Sequence, residues 1–125
     1  MAEWTPDELS RVGSATELHI TSMRRDGTTR PYTAIWVVRV GNDIYVRSAY
    51  GPDSGWFRRA RAAGRGRVRA GGVERDVTFA EAPPDAHEGI DAAYHAKYDR
   101  YGPAIVGSVV GPQARQVTVR LLPRD

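Results

Sequence analysis

The densest group of chemically useful side chains is a run of arginines in the middle of the chain. Six of the 18 basic residues, and none of the 15 acidic residues, fall in this run: Arg58, Arg59, Arg61, Arg65, Arg67 and Arg69. The formal net charge of the 125-residue chain is only +3, so the positive surplus sits in one segment. That placement favours a local anion site over a basic surface that covers the whole protein.

A β-hairpin is expected to neutralise part of this charge. Two strand-like segments flank Gly71-Gly72, and a two-residue turn there predicts two cross-strand ion pairs: Arg67 with Asp76, and Arg69 with Glu74. Exposed pairs of this kind contribute about 0.2–1 kcal/mol and imply no ligand. Arg58, Arg59 and Arg61, on a predicted short helix, and Arg65 at its exit stay unpaired. They form either a solvated helix face or a phosphate-binding surface.

The segment before that helix has the pattern of an anion site. Arg47 and Ser48 end a predicted strand, and a glycine-containing loop then leads to a helix that starts near Trp56. Free N–H groups and the helix dipole attract phosphate at such a start, while an arginine adds a bidentate donor and Trp56 a stacking plane. The alternative is ordinary capping by Asp53 or Ser54, with Trp56 in the core.

A second candidate group lies on one side of a longer helix near the C-terminus. Tyr94, Tyr98 and Tyr101 follow a helical spacing, with Lys97 among them. Packing in the core is one interpretation. Three phenols and an ammonium are many polar atoms for a core, however, so the alternative is a substrate pocket or a dimer seam.

Metal and thiol chemistry are not indicated. The chain has no cysteine, which excludes thiol nucleophiles, zinc ribbons and disulfides. His87, Asp91 and His95 recur every four residues, and the eight-residue span covers about 12 Å of helix, too far for all three to reach one metal ion. They predict a solvated polar face. We expect no metal site.

Elements with the β period must position these groups. Strands are expected at residues 17–23, 31–40, 44–48, 65–70, 73–79 and 116–122. A three-residue turn at 41–43 would pair Val40 with Ile44 and Val38 with Val46, placing apolar side chains opposite each other. Residues 31–40 are apolar on both faces, as expected in a closed barrel or at a dimer interface.

Three helices complete the pattern. A capping box at Thr5 and Glu8 starts the first, the second runs from about Trp56 to Ala63, and a second capping box at Asp85 and Glu88 starts a longer one that reaches about Tyr101. About six strands and three helices predict a mainly β (α+β) fold, an antiparallel barrel or sheet with helices at its ends. The length predicts a single domain over residues 1–125.

The expected location is the cytoplasm. No apolar run approaches the roughly 20 residues that a membrane-spanning helix needs. The first residues, Met1 to Glu8, are acidic rather than basic, so no signal peptide is predicted.

Several segments together resemble a known family. Ile35–Gly41 (IWVVRVG), Tyr45–Ser48 (YVRS), Trp56–Arg58 (WFR), Asp91–Tyr94 (DAAY) and Leu121–Pro123 (LLP) are similar to the bacterial family called domain of unknown function 2255. The similarity covers nearly the whole chain. More distantly, the order of these segments resembles the deazaflavin-dependent nitroreductases and the pyridoxamine-phosphate-oxidase-like split barrels.

The resemblance implies a split antiparallel β-barrel, usually a homodimer, that binds FMN or a deazaflavin through its phosphates. Carried over to this chain, it places the phosphate at Arg47, Ser48, Trp56 and Arg59. Trp36 joins the cofactor-binding residues, and Tyr94, Tyr98, Tyr101 and Lys97 fall on the substrate side. The Lys and Asn that the nitroreductases carry around this loop have no counterpart here.

The function expected from the residues and the resemblance is a flavin- or deazaflavin-binding split barrel, with an oxidoreductase acting on a small substrate as its extension. The alternative is a non-catalytic module that binds anions or nucleic acid through the cluster from Arg58 to Arg65. Aromatic side chains do not interleave with that cluster, which argues against nucleic acid. A degenerate barrel that serves as a structural dimer is the third possibility.

Overall fold

A computed structural model of the protein describes residues 3–124. Within this range the chain forms seven strands: β1 (Leu18–Ser22), β2 (Thr33–Ile35), β3 (Val38–Val40), β4 (Asp43–Arg47), β5 (Arg65–Ala70), β6 (Val73–Ala80) and β7 (Thr118–Pro123). The α-helices in the same range are α1 (Pro6–Ser14), α2 (Gly55–Ala63), α3 (His87–Tyr98), α4 (Pro103–Val106) and α5 (Pro112–Arg115). Three short 3₁₀ turns lie at Gly51–Asp53, Pro84–Ala86 and Asp99–Tyr101.

All seven strands belong to one antiparallel sheet in the order β2-β1-β5-β6-β7-β4-β3. The two edge strands, β2 and β3, are consecutive parts of one extended segment. The sheet therefore has to curl until its edges meet, and this confirms the split antiparallel barrel. The strand count differs from the expected six because the predicted strand 31–40 is divided in two.

The division occurs at Val37, whose backbone N–H and carbonyl form hydrogen bonds with side chains at the C-terminal end of α3. The Val37 N–H donates to Tyr98 Oη at 3.0 Å, and the Val37 carbonyl accepts from Lys97 Nζ at 2.7 Å. A backbone whose donor and acceptor are both satisfied by side chains can leave the ladder without a buried unpaired group. The bend lets one segment pair with β1 on one side and with β4 on the other.

Two groups of apolar side chains hold the barrel together. The first fills its interior and includes Leu18, Ile20, Ile44, Val46 and Val77. The second lies on the outer face of β3 and β4, where α3 packs, and contains Val38, Tyr45, Ile90, Tyr94, Tyr98, Val106 and Val109. This part of the sheet is thus buried on both faces.

The predicted register of β3 with β4 is wrong. The structure pairs Val38 with Tyr45 and Val40 with Asp43 around a two-residue turn, in which Gly41 has a φ of 62° that favours glycine. The prediction was based on matching apolar with apolar residues across the turn. Since α3 covers the outer face, Tyr45 is buried there opposite Val38.

The predicted register of β5 with β6 is confirmed. Arg67 lies opposite Asp76 and Arg69 opposite Glu74. The guanidinium Nε atoms of Arg67 and Arg69 are 2.8 Å and 2.9 Å from their carboxylate partners. Both pairs are largely exposed, so they stabilise the fold only weakly. Their effect is to favour this register and to neutralise two of the clustered arginines.

The helix starts show one correct and one wrong prediction. The Thr5–Glu8 capping box forms at α1 with both of its hydrogen bonds. The box predicted at Asp85 and Glu88 does not form, because Pro84–Ala86 make a 3₁₀ turn and α3 starts at His87 without a side-chain cap. This helix also ends at Tyr98, earlier than expected. Within residues 3–124, no helix is long and apolar enough to cross a bilayer.

Candidate ligand cleft

A cleft of about 470 Å³ opens between β2, the end of β4 and the start of α2. Pockets that hold small molecules and cofactors usually have volumes of about 300–1,000 Å³. Four of the five residues predicted to bind a cofactor line this cleft: Trp36, Arg47, Trp56 and Arg59. The structure therefore brings together side chains that are up to 23 residues apart in the sequence.

The start of α2 forms one wall of the cleft, and its first turn has no side-chain cap. Ser54 occupies the N-cap position but makes no capping hydrogen bond, so the capping predicted for Asp53 or Ser54 is absent. Within residues 3–124, no side chain accepts a hydrogen bond from Gly55, Trp56 or Phe57. Free N–H groups at the positive end of a helix dipole are a suitable partner for an anion.

Arg59 places its guanidinium over this helix start. A Cβ atom at Gly55 would lie 2.8 Å from Arg59 Nη1, so glycine leaves the space that the guanidinium occupies. Arg59 is half-buried and has no carboxylate within ion-pair distance among the described residues. Arg59 and the first residues of α2 thus line the same part of the cleft, a combination suited to a phosphate.

Two tryptophans supply aromatic surface to the same cleft. Trp56 is 7% exposed and belongs to the apolar core, as the alternative expected, although it also lines the cleft. It meets Phe57 edge to face at 5.9 Å between ring centroids. Trp36 is stacked on Tyr98, with centroids 4.0 Å apart and ring planes 5° from parallel. Stacking on a buried ring fixes the indole of Trp36, so it lines the cleft in one defined orientation.

Arg47 lies deep in the cleft wall and is held by neighbours within the chain. Its Nη1 donates to Asp91 Oδ1 and to the Val109 carbonyl, the latter at 2.9 Å, and its Nε donates to Thr118 Oγ1 at 2.8 Å. The side chain is fully buried. Arg47 therefore joins β4 to α3 and to the segment before α5, and most of its donors are in use.

Ser48 is also buried and engaged. Its hydroxyl donates to the Gly51 carbonyl at 2.7 Å, where it closes the loop that leads to α2. It lines a neighbouring cavity of about 980 Å³ together with Tyr50, Gly51 and residues of α5. The predicted phosphate site thus divides in the structure: Arg59 and the helix start face the cleft, whereas Arg47 and Ser48 support its walls.

The four residues predicted on the substrate side are not gathered in the cleft. Tyr94 and Tyr98 are fully buried in the cluster beneath α3, and Tyr101 is 43% exposed at a tilted contact with Trp36. Lys97 lines a different groove, next to Gly13 and Arg39. Burial raises the pKa of Tyr98 to about 12 and lowers the pKa of Lys97 to about 8.

The polar face predicted on α3 is in part buried. Burial alone would raise the pKa of Asp91, but hydrogen bonds from Arg47 and Arg115 outweigh it and hold that pKa below the usual range. His87 Nδ1 lies 3.3 Å from Arg47 Nη2, and its pKa is lowered by burial and by the charge of Arg47. Only His95 is as exposed as predicted. Among residues 3–124, no three His, Asp or Glu side chains are placed to hold a metal ion.

Several residues of the cleft were not predicted from the sequence. Tyr50 and Ile105 lie at its edge with 86% and 54% of their surfaces exposed, and Glu17 adds a carboxylate to the lining. Ile105 belongs to α4, a short helix that the sequence did not predict. A role for Tyr50 and Ile105 in the cleft could be predicted only once the neighbouring elements were known.

Comparison with solved structures shows the fold. The conserved hypothetical protein Rv2991 from Mycobacterium tuberculosis matches with a TM-score of 0.68 and 17% identity, over 100% of this chain and 82% of that one. A putative pyridoxamine 5'-phosphate oxidase from Listeria innocua matches with a TM-score of 0.61 and 14% identity, over 95% and 92%. An F420 reductase matches with a TM-score of 0.57 and 17% identity, over 93% and 92%.

Comparison of sequences identifies the family. No curated protein matches this chain. The family described as "Uncharacterized protein conserved in bacteria (DUF2255)" matches residues 8–121. The matched range includes all seven strands except the last two residues of β7, and all of α1 except its first two residues. The chain therefore belongs to the DUF2255 family of bacterial proteins.

Proposed function

We propose that the cleft binds a phosphate-bearing flavin-type nucleotide, FMN or a deazaflavin. One observation carries the proposal: two tryptophans line a cleft of cofactor size whose wall is an uncapped helix start with Arg59 over it. A flavin nucleotide has the matching parts, a large planar ring and a terminal phosphate. The fold supports this, because an F420 reductase and a putative pyridoxamine 5'-phosphate oxidase are built on the same barrel.

Each part of the cleft has a separate task in this proposal. Arg59 and the N–H groups of Gly55 and Trp56 hold the phosphate, and the indoles of Trp36 and Trp56 enclose the ring. Arg47 is a positioning residue that fixes the cleft wall through Asp91, and Ser48 does so through Gly51. A bound flavin or deazaflavin would supply hydride transfer, which makes the protein an oxidoreductase for a small substrate.

The same proposal includes a homodimer in the cytoplasm. Tyr50 and Ile105 expose apolar surface at the cleft edge, and a second copy that covers them would also exclude water from the ring. Tyr101, which is exposed beside Trp36, is the predicted substrate-side residue best placed to meet a substrate at that edge. Tyr94 and Tyr98 support the site from the buried cluster beneath α3, and Lys97 supports it through the Val37 carbonyl at the bend.

The competing proposal, that the protein as a whole is a non-catalytic module that binds anions or nucleic acid through Arg58 to Arg65, has less support. Arg58, Arg61 and Arg65 are exposed and lie outside the cleft. No aromatic side chain lies between Arg58 and Arg65 in the sequence, so a stacking platform for bases is missing.

Titration of the purified full chain with FMN and with a deazaflavin nucleotide tests the proposal. We expect quenching of tryptophan fluorescence with a dissociation constant well below 1 mM, and a loss of affinity in Arg59→Gln by about tenfold or more, as for one charge-assisted phosphate contact. Arg65→Gln is the matched control, since it removes an arginine from the same basic segment outside the cleft. If neither nucleotide binds below about 1 mM, the proposal is wrong.

A further inference from the structure

A second groove, of about 840 Å³, runs along the other side of α2. One wall is the loop between β1 and β2, and the other is the exposed face of α2. Six arginines from these two distant segments line it: Arg24, Arg25, Arg30, Arg58, Arg59 and Arg61. The sequence showed only the second half of this set as a cluster, because the first half lies some 30 residues earlier in the chain.

The arginines of this groove form no ion pairs with the part of the chain that the structure describes. Among residues 3–124, none of the six arginines has a carboxylate within 4.0 Å, in contrast to Arg67 and Arg69 of the hairpin. Asp26 lies in the same loop, but its carboxylate accepts from the backbone and hydroxyl of Thr28 and does not line the groove. Like charges crowded around one concave surface create a strong local attraction for anions.

The floor of the groove and its position indicate a small ligand. Met23, Pro52, Phe57 and Ala62 provide apolar surface between the arginines. The groove shares Gly55 and Arg59 with the cleft described above, so it lies directly beside that site. A long polyanion would have to cross surface outside the groove. The 15 acidic residues and the net charge of only +3 make that surface unfavourable for it.

We infer that this groove is a second anion-binding site, for a small molecule with two or more adjacent phosphates. Two facing walls of arginine suit a row of adjacent phosphates, since each guanidinium can hold one phosphate with two parallel hydrogen bonds. The site does not depend on a flavin in the cleft. A ligand that lies in the cleft and extends further phosphates into the groove would contact both sites, with Arg59 between them.

Calorimetric titration of the full chain with inorganic tripolyphosphate tests this inference. We expect one equivalent to bind, and the double variant Arg25→Gln/Arg58→Gln to lose affinity by about tenfold or more. Neither side chain makes a hydrogen bond or ion pair among the described residues, so the variant should fold normally. Arg65→Gln, an exposed arginine outside the groove, should bind within about twofold of the wild type.

Two further measurements separate the possible outcomes. FMN affinity should be the same in the double variant and the wild type, so a failure of FMN to bind would leave this site standing. The inference is overturned if tripolyphosphate does not bind, if the double variant binds it normally, or if citrate binds as tightly as tripolyphosphate. Preferential binding of a single-stranded oligonucleotide with a steep salt dependence would also overturn it.

Discussion

At the scale of single residues, the pair of Arg47 and Asp91 decides how the cleft wall is held. Arg47 is fully buried and shares its donors among Asp91, Val109 and Thr118. Asp91 in turn accepts from Arg115 Nη2 at 3.2 Å. A buried guanidinium is tolerated only with such a partner, because an unpaired charge in the interior is costly. Arg47 is thus a support for the cleft rather than a free phosphate ligand.

Replacing Asp91 by asparagine should destabilise the protein strongly. The variant leaves the Arg47 guanidinium buried without its counter-charge, and the expected loss in the free energy of unfolding is about 3–5 kcal/mol. Urea denaturation measures it. Asp99→Asn is the control, because Asp99 belongs to an exposed pair with His95 and should cost about 0.2–1 kcal/mol. Equal losses in the two variants would refute the role given to Asp91.

The same carboxylate should make the protein sensitive to acid. The pKa of Asp91 is lower in the folded state than in the unfolded state. Its contribution to stability is therefore complete above the unfolded pKa of about 3.9 and is lost as the pH falls through the folded value. The difference in stability between wild type and Asp91→Asn should shrink below about pH 4. A difference that stays constant with pH would contradict this.

Lys97 should add a second rise of stability with pH, in the alkaline range. Burial lowers its pKa from 10.5 to about 8, so above pH 8 the unfolded chain binds more protons at this residue than the folded chain. The free energy of unfolding should then rise with pH from about 8 towards 10 in the wild type relative to Lys97→Met. Denaturation at a series of pH values tests the slope. The window ends where unfolded tyrosines lose their protons, near pH 10.

At the scale of elements, the bend at Val37 determines the barrel. Tyr98 Oη accepts from the Val37 N–H and lies 2.8 Å from the Thr16 carbonyl. One side chain of α3 therefore fixes the point where the strand leaves β1 and turns towards β4. The ring of Tyr98 also stacks on the indole of Trp36. The bend therefore also positions Trp36, which forms part of one wall of the cleft.

Removing this hydroxyl should weaken the barrel. Tyr98→Phe leaves the buried Val37 N–H without its acceptor, and we expect a loss of about 1–3 kcal/mol in the free energy of unfolding. Thermal and urea denaturation measure this loss. Tyr101→Phe removes an exposed hydroxyl one turn later and should change stability by less than about 0.5 kcal/mol. A Tyr98 variant as stable as the wild type would show that the bend does not need this bond.

The predictability of these elements depended on how local their causes are. The register of β5 with β6 followed from a short turn and two charge pairs, all within 16 residues of sequence. The register of β3 with β4 could not be predicted, because Tyr45 is buried in a cluster with residues of α3, which lies far along the chain. The cleft could be predicted in part: the pattern of strand, loop and helix indicated Trp56 and Arg59, and the family resemblance added Trp36, whereas Ile105 and the partner of Arg47 depend on tertiary packing.

At the scale of the whole molecule, the exposed apolar edge of the cleft predicts self-association. Tyr50 and Ile105 leave most of their surfaces in water, and burial of such side chains contributes about 1.5–3 kcal/mol each. We expect a dimer in sedimentation equilibrium, and a dimer dissociation constant raised by at least about tenfold in Tyr50→Ser/Ile105→Ser. Arg65→Ser, at an exposed position outside the cleft lining, should have a smaller effect. A wild-type monomer at all accessible concentrations would refute the homodimer.

The most direct test of the central claim compares FMN with riboflavin, which has the same ring and lacks the phosphate. If Arg59 and the start of α2 hold the phosphate, the wild type should bind FMN at least about tenfold more tightly than riboflavin. Arg59→Gln should reduce that ratio towards one without changing the affinity for riboflavin. Equal affinities for the two ligands in the wild type, or an FMN preference that survives in Arg59→Gln, would contradict the assignment of this cleft.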